Sequence, residues 1–269
     1  MTPNGRRSFV TRRRTTVLEP TIRALRQQRE ILLMTHIVAG YPSFDDGLRV
    51  VEAMVEAGVD LIEMQIPFSE PIADGPVILH ANQKALESGA TVARCLDFGA
   101  EIARRFPVPL LVMSYYNILF KYGVDGFVAK LRDLGYQGAI VPDLPPEEGS
   151  AYLDAMDRRA LAPIFIFSPS SSEHRLNLIA QRARGFVYCV ARKGVTGDAT
   201  TFSRSLSEYL QRCRRATPLP LAVGFGVRQR EDVDFLRGKA DIAVIGTETL
   251  RRVEQSGPRS VGPFLRSLR

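Results

Sequence analysis

The chain has 269 residues, 45% of them hydrophobic and 24% charged, with a formal net charge of +7 at pH 7. This length and apolar share suffice for one large α/β domain or two small ones, and they exclude a disordered or fibrous chain. The basic excess lies at the amino end, in "RRSFVTRRR" (residues 6–14), and near the carboxyl end. Without a basic stripe interleaved with aromatics, it reads as a solvated Arg-rich surface and not as a nucleic-acid face.

In chain order, residues 1–17 read as an Arg-rich, disordered extension, and residues 18–269 as the folded domain. "GRRSFVT" superficially resembles a twin-arginine export signal, but "RRRTTVLEP" follows where an apolar segment is required, which excludes export. A leading helix is predicted over residues 18–29. Eight short apolar runs then alternate with helical patterns: 31–38, 59–66, 108–113, 139–141, 163–167, 186–190, 219–223 and 242–245. Ser43 and Thr91 are placed to cap helices, and further helices are predicted over 124–134, 147–159, 173–183, 202–215, 228–236 and 261–268, with another opened by "IGTE". Nearly continuous apolar strands separated by helices require a parallel sheet covered by helices. Eight such units without a linker point to a single (β/α)8 TIM barrel with an extra N-terminal helix, with a doubly wound open sheet as the alternative. Cys95, Cys189 and Cys213 are odd in number and lack metal-ligand spacing, so they read as reduced thiols of a cytoplasmic protein. No apolar run reaches the length of a membrane span.

In a barrel, function resides where strands run into the following loops. The period of two along the second strand puts Leu61, Glu63 and Gln65 on one face and Ile62, Met64 and Ile66 on the other. The second set suits the helices, so Glu63 and Gln65 are expected to look into the barrel. A carboxylate there must be paired, with His36 on the first strand as a possible partner, or have its pKa raised, which is the profile of a general acid/base. "KGVTG" (193–197), "GFG" (224–226) and "IGTE" (245–248) follow three successive strands. Glycines and a helix amino end at those turns suit a phosphate. His80 and His174 lack metal spacing and read as surface or helix residues, and "PDLPPEE" (142–148) reads as a helix start. No metal site, Ser/His/Asp elbow, Walker pattern or dinucleotide pattern is found.

Several ordered motifs, "AGYP" (39–42), "PFSEPIADGP" (67–76), "YYN", "PDLP", "APIF", "RKGVTG", "GFG" and "IGT", make the chain similar to the tryptophan synthase alpha subunit family over roughly residues 36–268. The resemblance implies a lyase that cleaves indole-3-glycerol phosphate to indole and glyceraldehyde 3-phosphate. It also implies docking on a beta subunit in an α2β2 heterotetramer, with pyridoxal phosphate in the beta subunit and no cofactor in this chain. Carried over residue by residue, it makes Glu63 the acid/base, Asp74 the acceptor of the indole N–H, and Tyr188 a wall of the indole pocket. Gly197, Gly226, Gly246, Thr247 and Phe225 would hold the phosphate. Three positions depart from the family: Gln65 replaces a usual glycine, His36 a usual aromatic, and Val38 a common threonine. Gln65 is expected to project into the pocket, with His36 as its nearest partner. Two competing readings are a low-activity alpha-like barrel that binds and activates a beta subunit, and a lyase or isomerase for another sugar phosphate. Retention of Glu63, Asp74 and Tyr188 argues against the first and the "ADGP" loop against the second, whereas Gln65 and His36 favour the first.

Overall fold

The computed structural model describes residues 16–191, 199–224 and 226–269, with only the backbone described for 199–203. The expected extension over residues 1–17 therefore lies outside the description except for Thr16 and Val17. Eight parallel strands close on themselves in sequence order: β1 (Leu32–Val38), β2 (Leu61–Gln65), β3 (Leu110–Met113), β4 (Gly138–Ile140), β5 (Ala162–Phe167), β6 (Val187–Val190), β7 (Leu221–Gly224) and β8 (Ile242–Ile245). Because β1 pairs with both β2 and β8, the sheet has no edge, and the open-sheet alternative is excluded.

Among the described residues the helices are α1 (Leu18–Gln28), α2 (Phe44–Glu56), α3 (Pro76–Glu87), α4 (Val92–Arg105), α5 (Tyr116–Tyr122) and α6 (Val124–Asp133). They continue with α7 (Ser150–Arg158), α8 (Glu173–Arg182), α9 (Ala199–Ala216), α10 (Arg230–Leu236), α11 (Thr247–Ser256) and α12 (Val261–Ser267). Ser43 and Thr91 cap α2 and α4 as expected, accepting the Asp46 and Arg94 N–H groups at 3.0 and 3.3 Å. Such caps contribute about 1 kcal/mol each. Two helices were not foreseen. α3 starts directly at Pro76, and α5 is held at its start by a distant residue, Asp143, which accepts the Tyr116 N–H at 2.9 Å. The helix expected from residue 147 starts only at Ser150, because the Glu148 N–H closes a turn onto the Pro145 carbonyl at 3.1 Å. Glu147 and Glu148 thus precede the helix.

The strand faces divide the core in two. Leu61 joins Leu32, Met34, Leu111 and Ile242 inside the barrel, together with Leu18 and Ile22 of α1, which closes the base. Ile62, Met64 and Ile66 join the larger cluster between sheet and helices, as their alternation requires. The base also consumes several arginines. Asp60, just before β2, accepts from the Leu33 N–H and pairs with Arg29 and Arg269. Asp241, just before β8, accepts from the Leu221 N–H and pairs with Arg26 and Arg214. Arg214 and the Leu221 N–H outweigh the burial of Asp241 and hold its carboxyl below the usual range. These carboxylates lie at the amino ends of the strands, the end that serves stability in barrels.

Candidate active site

A cavity of about 440 Å³ opens at the carboxyl ends of the strands, lined by His36, Glu63, Asp74, Tyr188, Gly226, Gly246 and Thr247 among others. Its volume falls in the range of roughly 300–1,000 Å³ that suits a small molecule. Its floor is apolar, formed by Met113, Ile140, Ile166 and Val244.

Glu63 and His36 are each only 4% exposed. Pairing of β1 with β2 places their Cα atoms opposite one another, and His36 Nδ1 lies 3.1 Å from Glu63 Oε1. Burial disfavours the charged imidazole, but the Glu63 carboxylate and its hydrogen bond, with Asp74 and the Gln65 amide beside it, outweigh this and raise the His36 pKa. Glu63 is therefore paired, as the sequence allowed. Its second oxygen, Oε2, and His36 Nε2 are buried without a hydrogen-bond partner among the described residues. A buried oxygen of this kind is costly unless something that binds supplies the partner.

Gln65 lies beside His36, whose pKa its side chain helps to raise. The side chain is fully buried and is absent from the cavity lining, and its donor is not directed at His36. Gln65 Nε2 donates instead to Asp74 Oδ2 at 2.7 Å and to Asn82 Oδ1 at 3.3 Å. The physical reason is the unforeseen helix α3, which brings Asn82 beneath the loop and folds Asp74 back over β2. Val38 is likewise buried in the outer cluster and not in the cavity wall.

Asp74 lies in the loop between β2 and α3, and that loop is braced on several sides. The Phe68 N–H donates to Asn82 Oδ1 at 2.8 Å, the Ala73 N–H donates to the Tyr115 hydroxyl at 3.0 Å, and the Phe68 and Tyr115 rings stack with centroids 5.0 Å apart. Burial raises the Asp74 pKa, opposed first by the Gln65 hydrogen bond and then by His36. Tyr188, on β6, stands across the cavity from these groups, and burial together with Glu63 and Asp74 pushes its hydroxyl well above its ordinary pKa. Its ring needs the glycine on the next strand, since a Cβ at Gly224 would lie 3.0 Å from the Tyr188 hydroxyl oxygen.

The other end of the cavity is formed by turns. Gly226 has φ +88, Gly246 precedes α11, and Thr247 is its first residue. N–H groups in a first helical turn lack intrahelical acceptors, which makes this end suited to an anion. Arg228 and Arg251 also line it. Gly197 and Phe225 lie outside the described residues. Tyr115, Asn82 and the two arginines were missed as site residues; "YYN" directly after β3 was the available signal for Tyr115, and nothing local marked Asn82.

The chain matches the family described as "Tryptophan synthase alpha chain" over residues 22–261. The tryptophan synthase alpha chain of Desulforapulum autotrophicum is 61% identical over 252 residues, spanning 94% of this chain and 100% of the relative. That of Syntrophotalea carbinolica is 56% identical over 253 residues, with 94% and 100% covered. Among solved structures, Mycobacterium tuberculosis tryptophan synthase superposes with a TM-score of 0.87 at 31% identity, covering 95% of this chain and 97% of that one. A chain of the tryptophan synthase α2β2 complex of Pyrococcus furiosus gives a TM-score of 0.83 at 29% identity, with 88% and 97% covered. With this match over most of its length, and with the barrel and cavity already described, the chain belongs to the tryptophan synthase alpha chain family.

Proposed function

We propose that Glu63, Asp74 and Tyr188 carry the family's reaction in this cavity, the retro-aldol cleavage of indole-3-glycerol phosphate to indole and glyceraldehyde 3-phosphate. The chain is a lyase of tryptophan biosynthesis. Cleavage requires a proton on the ring carbon that bears the glycerol chain and loss of the proton from the adjacent hydroxyl. Glu63 in its acid form delivers the first proton. As a carboxylate it then takes the second, while the carbon–carbon bond breaks, its electrons return to the ring and the hydroxyl carbon becomes the aldehyde. Asp74 accepts the indole N–H and stabilises the positive charge that develops on the ring. Tyr188 and the apolar floor hold the ring, and Gly226, Gly246 and Thr247, with Gly197 and Phe225, hold the phosphate. The single observation that carries this reading is the buried Glu63 with one oxygen on His36 and the other without a partner among the described residues, at the wall of a cavity that also presents Asp74.

The same reading gives the chain no cofactor of its own and leaves pyridoxal phosphate to a beta subunit. Assembly with that subunit as α2β2 is supported by the Pyrococcus furiosus complex and by exposed apolar side chains near the site, Ile72 at 81% and Phe120 at 67%. The cytoplasm is the compartment that suits three free cysteines, and among the described residues no helix is long and apolar enough to cross a membrane. Steady-state turnover of indole-3-glycerol phosphate, with and without a beta subunit, tests the reading. Release of indole by the chain alone, accelerated by the beta subunit, is expected. Acceleration of the beta subunit with no release of indole would favour the activator reading instead.

A further inference from the structure

Gln65 is a fully buried polar side chain, so its bulk and its two hydrogen-bonding ends need a reason. Gln65 does not itself line the cavity, although it lies beside His36, which does. The amide nitrogen instead divides between two oxygens that belong to the next stretch of chain, Asp74 Oδ2 at 2.7 Å and Asn82 Oδ1 at 3.3 Å. Asn82, also fully buried, is held by its own helix, donating through Nδ2 to the Ile78 carbonyl at 2.8 Å, and its oxygen receives the Phe68 N–H. β2 and α3 are thus tied to each other and to both ends of the loop between them. One carboxylate oxygen of Asp74 is fixed to the strand that carries Glu63, only two residues away.

We propose that Gln65 is a positioning residue that, with Asn82, holds the Asp74 carboxylate in its reacting orientation toward the cavity. The proposal rests on the role given to Asp74 above. Loops that carry reacting groups commonly become placed only when a lid closes; here a strand side chain does the placing from within the chain. A displacement of about 1 Å in such a group can cost on the order of 100-fold in rate. The charged and titratable groups around Asp74 are His36 from β1, Glu63 from β2, Tyr115 beyond β3 and Tyr188 from β6, and among them the Gln65 amide acts as a neutral donor that favours the ionised carboxylate.

The test is a set of variants assayed for turnover of indole-3-glycerol phosphate. Gln65→Met keeps the volume and removes the donor, Gln65→Glu keeps the shape and replaces the donor with an acceptor, and Asp74→Asn is the reference. The proposal expects both Gln65 variants to lower kcat by roughly 10- to 100-fold with little change in KM. It also expects the pH at which activity appears on the acid side to move upward in Gln65→Met, because Asp74 loses its donor. In an Asp74→Asn background the Gln65→Met change should have almost no further effect. If Asp74→Asn is harmful but Gln65→Met leaves kcat and the pH profile unchanged, or multiplies independently with Asp74→Asn, the positioning role is overturned while the site reading stands. If Asp74→Asn itself leaves turnover unchanged, both fall. If Gln65→Met does not fold, Gln65→Glu decides by the same readings.

Discussion

His36 Nδ1 meets Glu63 Oε1 at 3.1 Å across the β1–β2 pairing, so the buried carboxylate that faces the cavity shares its proton environment with an imidazole. One proton on the pair leaves an acid available for the indole ring; with none, there is no acid. The His36 pKa is raised by Glu63 and Asp74 against the effect of burial. For a raised group, its contribution to folding is complete below the unfolded value near 6.5 and is lost as pH rises through the folded value.

Activity should follow the same direction. kcat/KM should fall as pH rises through the raised His36 pKa, above its ordinary value near 6.5. In His36→Phe that limb should be lost from its original position, because the imidazole that sets it is gone. The pH dependence of kcat/KM, which reports groups of the free enzyme, checks this; superimposable profiles of the two proteins would show that His36 only fills space.

The turn at Gly226 should serve phosphate through its backbone. Its φ of +88 disfavours side chains, although no atom of the described residues lies within 4 Å of a Cβ added there. Gly226→Ala should therefore cost about 1 kcal/mol in stability and weaken binding of a glycerol phosphate analogue by about an order of magnitude, the equivalent of one lost hydrogen bond. Calorimetric titration with the analogue, beside a melting curve of the free protein, separates the two effects.

At the opposite end of the barrel, Asp241 should govern acid stability. Its pKa is depressed, so the stability it supplies is present above the unfolded carboxylate value near 3.8 and is lost as pH falls through the folded value. Asp241→Asn should destabilise the barrel at pH 7 by roughly 1–3 kcal/mol, having stranded Arg26 and Arg214, and flatten the loss of stability below pH 4. Urea unfolding at pH 7 and at pH 3.5 measures both changes.

How much of this was legible depended on whether the cause was local. The eight strands could be read because each is a short apolar run, and the inward facing of Glu63 followed from Leu61 and the outward Ile62, Met64 and Ile66. α5 could not be read, because the group that caps it, Asp143, is 27 residues away. The same limit applies to the acceptors of Gln65. From β2 alone its nearest polar neighbour was His36 on the paired strand, which it does adjoin; the acceptors of its amide nitrogen, Asp74 and Asn82, depend on how the loop folds back and on a helix that begins at Pro76. Tyr188 was placed correctly because its position needed only the alternation of β6, whereas Tyr115 reaches the Asp74 loop from beyond the end of β3.

The most direct test is turnover of indole-3-glycerol phosphate by Glu63→Gln, an isosteric change that removes the titrating oxygen and keeps an acceptor for His36. Loss of a positioned acid/base lowers the rate by about 10²–10⁴-fold, or roughly 2.7–5.5 kcal/mol of barrier. The account predicts a fall in kcat within that range, with an unchanged melting curve and unchanged binding of a glycerol phosphate analogue. A kcat within a factor of about three of the unsubstituted protein, far short of that range, would contradict the assignment of Glu63 as the group that moves the protons.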